Sequence, residues 1–248
     1  MSTDLTILLT SAMEDAEDFL EWSGEKEISV LHLPLERYVP LETDTGDLPA
    51  LLEETENIIY GHKRNARFFI EQAREQNLLE VIKNRINLVS HQRAADYLEE
   101  QGVPAIFPGS EEPIKMLEFL MRLRRLGTVF YPCGTHKNEE IPGLLKELDI
   151  EVNERAFYEL KGPTGNELET YQGWIRDHQP DTVVCHSRRA VNRIGAAFPE
   201  VFASASSIIA GDRAVAEKLA GDHKVQADVV AEGDWPSIFE RVKELAGG

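Results

Sequence analysis

Six times along the chain a short apolar run gives way to a polar loop and then to a segment with helical spacing. The runs are Leu5–Thr10, Asn57–Tyr60, Ile86–Val89, Val129–Tyr131, Thr182–Cys185 and Ser207–Ala210. The segments behind them include EDAEDFLEWSG, NARFFIEQAREQ, QRAADYLEEQG, NEEIPGLLKELD, RAVNRIGAAF and RAVAEKLAG. Runs this short and unbroken are those of strands buried within a sheet. A helix after each strand is what parallel neighbours need to cross over. The pattern predicts an α/β fold with parallel sheets.

The six units form an internal repeat, one-two-three and one-two-three again. TILLTSAMEDAEDFLEWSGEKEISVLHLPL pairs with TVFYPCGTHKNEEIPGLLKELDIEVNERAFYEL. NIIYGHKRNARFF pairs with TVVCHSRRAVNRI, and INLVSHQRAADYLEEQGVPAIFPG with SIIAGDRAVAEKLAGDHKVQADVVAEG. Two similar α/β halves follow. LHLPLERYVPLE, around 31–42, and EVNERAFYELKGPTG, around 151–165, are extended connectors at equivalent places. Tyr158 falls in the second connector, outside any expected core strand.

Charge changes the picture. Asp and Glu number 44 against 26 Lys and Arg, for a formal net charge of -18. Solubility explains this simply; adaptation to high salt explains it as well. Either way the field opposes nonspecific binding to nucleic acid or an anionic membrane. No run approaches the ~18 apolar residues that would span a bilayer. MSTDLTILLTSAMEDAED lacks the basic region of a signal peptide. The two cysteines, Cys133 and Cys185, have no CxxC or CxxH partner, so neither a disulfide framework nor a zinc site is expected. A cytoplasmic protein is the expectation.

In a parallel sheet, ligands bind beyond the carboxyl ends of the strands. Those positions hold Thr10 and Ser11; His62, Lys63, Arg64 and Asn65; Ser90, His91, Gln92 and Arg93; Gly134, Thr135, His136 and Lys137; His186, Ser187, Arg188 and Arg189; and Gly211, Asp212 and Arg213. Four of the six loops carry Arg and a fifth carries Lys, on a strongly acidic chain. Any one arginine is as well explained by a neighbouring Glu. The set as a whole points to a polyanion site, because guanidinium forks pair with carboxylates and phosphates and helix N-termini add partial positive charge. No HxH or HExxH spacing marks a metal, and no GxGxxG, GxxxxGKS or GxSxG follows a strand.

With those residues in view, the chain resembles the uroporphyrinogen-III synthase family over nearly its whole length, best from about 128 to 240. VFYPCGTHKNEEIPGLLKELDIEVNERAFYEL resembles the family's strand, helix and connector ending in a tyrosine. PDTVVCHSRRAVNRIGAAFPE resembles its strand, loop and helix. SIIAGDRAVAEKLAG resembles its glycine-containing loop, and GDWPSIFERVKE its last helix. The resemblance implies two parallel-sheet α/β domains joined by a two-stranded connector ladder. One domain is expected at 1–35 plus 162–248, the other at 41–153, and the ladder at 34–41 and 153–162, with the substrate in the cleft between the domains.

The implied reaction is cyclisation of hydroxymethylbilane, an octacarboxylate, to uroporphyrinogen III. Ring D is inverted through a spiro intermediate and water is lost. No metal or organic cofactor is implied, and the family suggests a monomer. Tyr158 matches the connector tyrosine that assists departure of the hydroxyl, Ser187 the loop serine, and Gly211 the glycine of the last loop. The expected substrate-binding set is Thr10, Ser11, His62, Lys63, Arg64, Ser90, Arg93, His136, Lys137, His186, Ser187, Arg188, Arg189, Gly211 and Arg213. Departures are visible: Lys63 stands for the second unit's usual serine, Arg93 for a threonine, and Ser11 for the arginine that often follows the first strand. They leave a second possibility, a non-catalytic two-domain module that binds a polyanion or a partner.

Overall fold

The computed structural model describes residues 5–26, 28–42, 46–122, 127–136 and 140–247. In chain order the first elements are β1 (Thr6–Leu9), α1 (Met13–Glu25), β2 (Ser29–His32), β3 (Arg37–Pro40), α2 (Leu48–Glu54), β4 (Asn57–Tyr60), α3 (Lys63–Glu75), α4 (Leu79–Lys83), β5 (Ile86–Val89), α5 (Gln92–Glu100) and α6 (Pro113–Arg122). There follow β6 (Val129–Gly134), α7 (Glu140–Glu147), β7 (Val152–Lys161), α8 (Gly165–His178), β8 (Thr182–Cys185), α9 (Arg188–Ala197), α10 (Val201–Ser204), β9 (Ser207–Ala210), α11 (Arg213–Lys218), a π-helical turn at Leu219–His223, β10 (Val229–Val230) and α12 (Trp235–Gly247). Each of the six apolar runs is a strand.

The chain divides into two units, Met1–Arg37 with Lys161–Gly248, and Tyr38–Leu160. The first sheet has the order β10-β9-β8-β1-β2 and the second β3-β7-β6-β4-β5. The pairs β1–β2, β1–β8, β8–β9, β9–β10, β4–β5, β4–β6 and β6–β7 are parallel. The orders superimpose: β2-β1-β8-β9-β10 corresponds to β7-β6-β4-β5, continued by the parallel bridge Leu88↔Ile106. Each unit therefore takes its first strands from one repeat and its later strands from the other. The two connectors meet as neighbours, β3 beside β7, and the ladder they make is continuous with the second sheet through β6.

Both sheets are buried on both faces. Leu8, Val183, Cys185, Ile208 and Ala210 face one cluster of the first unit, while Ile7, Leu9, Val184 and Ile209 face another. In the second unit Ile58, Tyr60, Val89 and Phe130 oppose Ile59, Leu88, Val129 and Tyr131 in the same way. Strict alternation sends successive side chains to opposite faces, so strands covered twice read as continuous apolar runs. Because the strands run parallel, their carboxyl ends and the loops behind them lie at one end of each sheet. Among the described residues no helix is long and apolar enough to cross a membrane.

Candidate functional site

Tyr158 lies within β7, not outside the core strands as its place in a connector predicts, and is only 5% exposed. The register between β6 and β7 explains it. Cys133 pairs with Ala156, but the next rung pairs Gly134 with Tyr158, so Phe157 is an extra residue on β7. A bulge of this kind breaks the alternation and re-aims the next side chain. Phe157 and Tyr158, although consecutive, thus enter the same cluster beside Phe68 and Phe69. The Tyr158 ring stacks on Phe68 at 4.9 Å and meets Tyr38 edge-on at 5.5 Å. Gly134 leaves room for it, since a Cβ there would stand 2.4 Å from the Tyr158 ring. The Tyr158 hydroxyl donates to Asn65 Oδ1 at 3.1 Å, and Asn65 Nδ2 donates to the Pro132 carbonyl at 2.7 Å.

Around this tyrosine the second unit sets out its other strand-end residues. Arg64 lies over the Tyr38 ring at 4.8 Å. His62 and His91, the residues before α3 and α5, stack at 4.8 Å, and His91 Nδ1 is 3.1 Å from Glu111 Oε2. Burial, helped by the charge of Arg64, pushes the His62 imidazole down to about 3, so it is neutral near pH 7. The Ser90 hydroxyl is turned inward and donates to the Gly61 carbonyl at 2.8 Å. Lys63, Arg93 and His136 are exposed, and Lys137 lies outside the described residues.

In the first unit Arg188 and Arg189 open α9 and are exposed, with no ion pair among the described residues. Ser187 caps that helix, its hydroxyl accepting from Ala190 N at 3.1 Å. Arg213 is committed to Glu217 at 3.0 Å. His186 is buried more deeply than a loop ligand: it stacks on Trp235 at 5.6 Å and holds Nε2 3.8 Å from Glu36 Oε1. Burial lowers its pKa to about 4, with Asp15 pulling the other way. Glu36, 5% exposed, also faces Arg193 Nε at 3.3 Å, an ion pair that sequence inspection missed because its partners are far apart in the chain. Thr10 and Ser11 are buried at the end of β1, and the Ser11 carbonyl meets His32 Nε2 at 2.9 Å. The hydroxyls of Thr10 and Ser11 and the Nδ1 of His186 are buried without a hydrogen-bond partner among the described residues. Gly211 permits close approach, since a Cβ would stand 2.6 Å from the His186 carbonyl oxygen.

The residue of the second unit that matches Ser187 is His62, as the paired sequences NIIYGHKRNARFF and TVVCHSRRAVNRI align them: their backbones are φ -152, ψ 160 and φ -155, ψ 161, each immediately before its helix. The expected site residues fall into two groups, one per unit. Thr10, Ser11, His186, Ser187, Arg188, Arg189, Gly211 and Arg213 lie in the first, and His62, Lys63, Arg64, Ser90, Arg93, His136 and Tyr158 in the second. Asn65, Gly134 and Tyr38 complete the Tyr158 environment. Asn65 stood among the strand-end residues, but nothing local marked it out from its neighbours. Among the described residues no cluster of three His, Cys, Asp or Glu side chains is placed to hold a metal.

A family model described as uroporphyrinogen-III synthase HemD matches residues 21–234, from within α1 to the start of α12, and leaves out Thr10 and Ser11. No curated protein matches the sequence significantly. Among solved structures, uroporphyrinogen-III synthetase from Helicobacter pylori superimposes with a TM-score of 0.65 at 14% identity, covering 98% of this chain and 100% of that one. A mutant uroporphyrinogen III synthase from the extremely thermophilic bacterium Thermus thermophilus gives a TM-score of 0.56 at 14% identity, with 98% of each chain covered. At that identity the two structures establish the shared fold.

Proposed function

The chain belongs to the uroporphyrinogen-III synthase family, and from that membership we propose how its residues divide the family's reaction. The reaction is cyclisation of hydroxymethylbilane to uroporphyrinogen III, with ring D inverted and water lost, by a lyase of haem biosynthesis. The observation that carries the reading is the family match over 21–234, which takes in β2 through β10.

Departure of the terminal hydroxyl needs a proton or a strong hydrogen bond at the leaving oxygen, and a phenol supplies either. In our reading Tyr158 is that donor; its place in the bulge of β7, gripped by Phe68 and Tyr38, is the geometry of a held side chain rather than a free one. The substrate's carboxylates need cations that the protein has not already neutralised. Arg188 and Arg189 meet that condition, and Arg213, paired with Glu217, meets it less well. Because Tyr158 and the two arginines belong to different units, the substrate is proposed to engage strand-end loops of both. His62, Lys63, Arg64, Arg93 and His136 are proposed to add contacts from the second unit. Thr10, Ser11, His186 and Ser187 are proposed as supporting residues in the first. The enzyme is proposed to work in the cytoplasm as a monomer, without nucleic-acid or membrane partners.

The test is a coupled assay in which porphobilinogen and hydroxymethylbilane synthase feed the chain and isomers I and III are resolved. Isomer III is the expected product. Isomer I alone, at the uncatalysed rate, would reject the reading.

A further inference from the structure

We infer that Asn65 is a positioning residue that sets the direction of the Tyr158 O–H bond; the inference rests on Tyr158 acting in the proposed reaction.

Asn65 is 3% exposed, in the first turn of α3. A buried carboxamide is costly unless both its ends are paired, and both are. The NH2 group donates to the Pro132 carbonyl at 2.7 Å, and the oxygen accepts from Tyr158 at 3.1 Å. The orientation is fixed by chemistry. Turning the amide over would set its oxygen against the Pro132 carbonyl oxygen, two acceptors with no proton between them. With the amide pinned from β6, the phenol faces an acceptor and must be the donor in that bond. Its proton points at Asn65, and its oxygen lone pairs point elsewhere.

Helix geometry does not demand this asparagine. The equivalent position in the first unit is Ala190, and α9 begins there with the same backbone as α3. An apolar Ala serves a helix start that has no tyrosine to hold. The amide therefore belongs to the tyrosine, not to the turn. Gly134 completes the device from β6, because any side chain there would push into the ring. The amide fixes the hydroxyl rotor, while Gly134, Phe68 and Tyr38 fix the ring. The phenol oxygen is thus held at one point, and a departing hydroxyl that reaches it takes the proton over from Asn65; what the amide contributes to the reaction is the fixed place of that oxygen, which outweighs the one hydrogen bond exchanged.

The experiment is a double-mutant cycle on the full chain, with hydroxymethylbilane as substrate and isomer III as the readout. Asn65→Ala is expected to lower kcat about tenfold and to leave KM within about twofold, as when a proton donor is less well placed and substrate binding is untouched. In the Tyr158→Phe background the same substitution is expected to change kcat by less than about twofold, since there is no longer an O–H to aim. A general packing role would lower kcat by the same factor in both backgrounds, and that result overturns the inference. Should Asn65→Ala fail to fold, Asn65→Asp, which keeps the volume, carries the same comparison. It changes the phenol's partner and its effect on kcat must also vanish in Tyr158→Phe. If the wild-type chain makes only isomer I, the proposed function itself has failed. If it makes isomer III and the two effects multiply, the function stands and the role of Asn65 falls.

Discussion

The two units repeat one backbone and fill it with different chemistry. Before α9 and α11 the first unit places Ser187 and Asp212, whose side chains accept from Ala190 N at 3.1 Å and Val215 N at 2.7 Å. At the matching positions before α3 and α5 the second unit places His62 and His91, which cap neither helix with their side chains and stack on each other instead. The second unit also satisfies its buried phenol, through Asn65 and Pro132, whereas the first leaves three buried polar atoms at the ends of β1 and β8 without such partners among the described residues. The repeat keeps what the sheet requires, and the strand-end loops differ. The first unit uses its caps to stabilise helices and leaves Arg188 and Arg189 uncommitted at the surface. The second gives up those caps and surrounds a fixed tyrosine.

Removing both uncommitted arginines should show the largest difference between the units. Arg188→Ala with Arg189→Ala is expected to raise KM at least about tenfold with little change in kcat, since one charge-assisted hydrogen bond contributes about 1.5–3 kcal/mol. Unchanged KM would show that the pair faces only solvent. Next come the helix caps. Ser187→Ala and Asp212→Ala should each cost about 1 kcal/mol in urea unfolding, and His62→Ala should carry no such capping loss. Equal losses at Ser187 and His62 would erase the contrast.

A further contrast lies in the acid limb of stability. Burial puts His186 at about 4 against 6.5 for the free side chain, so between those values the unfolded chain binds the extra proton. Stability therefore falls as pH drops from about 6.5 toward 4 and recovers as pH rises. His186→Gln should flatten that window. His62→Gln should flatten a window reaching lower, to about 3, because His62 is depressed further. Unaltered acid limbs would mean that neither imidazole is held neutral.

The repeating architecture was legible because strands covered on both faces need continuous apolar runs, as in Ile58–Tyr60 and Val183–Cys185. The paired order of the six units likewise showed through in the sequence and reappears in the two sheet orders. What stayed hidden depends on register and on distant partners. The place of Tyr158 in a core strand follows from one skipped rung against Gly134, which no local pattern announces. The neighbours of His186 were hidden because Glu36 and Trp235 come to it from elsewhere in the chain. The match of Ser187 with His62 was legible in the paired repeat, and the backbone angles before α9 and α3 agree with it. Arg188 and Arg189 were conspicuous by charge, and only the fold could show that no described carboxylate pairs with them.

The proposed catalysis turns on the phenol in the β7 bulge. The most direct measurement is kcat for isomer III formation by Tyr158→Phe at saturating hydroxymethylbilane, compared with the unaltered chain. A fall of about a hundredfold is expected, with KM nearly unchanged, as for loss of a positioned proton donor. A Tyr158→Phe chain that forms isomer III as fast as the original would remove Tyr158 from the chemistry and contradict the account.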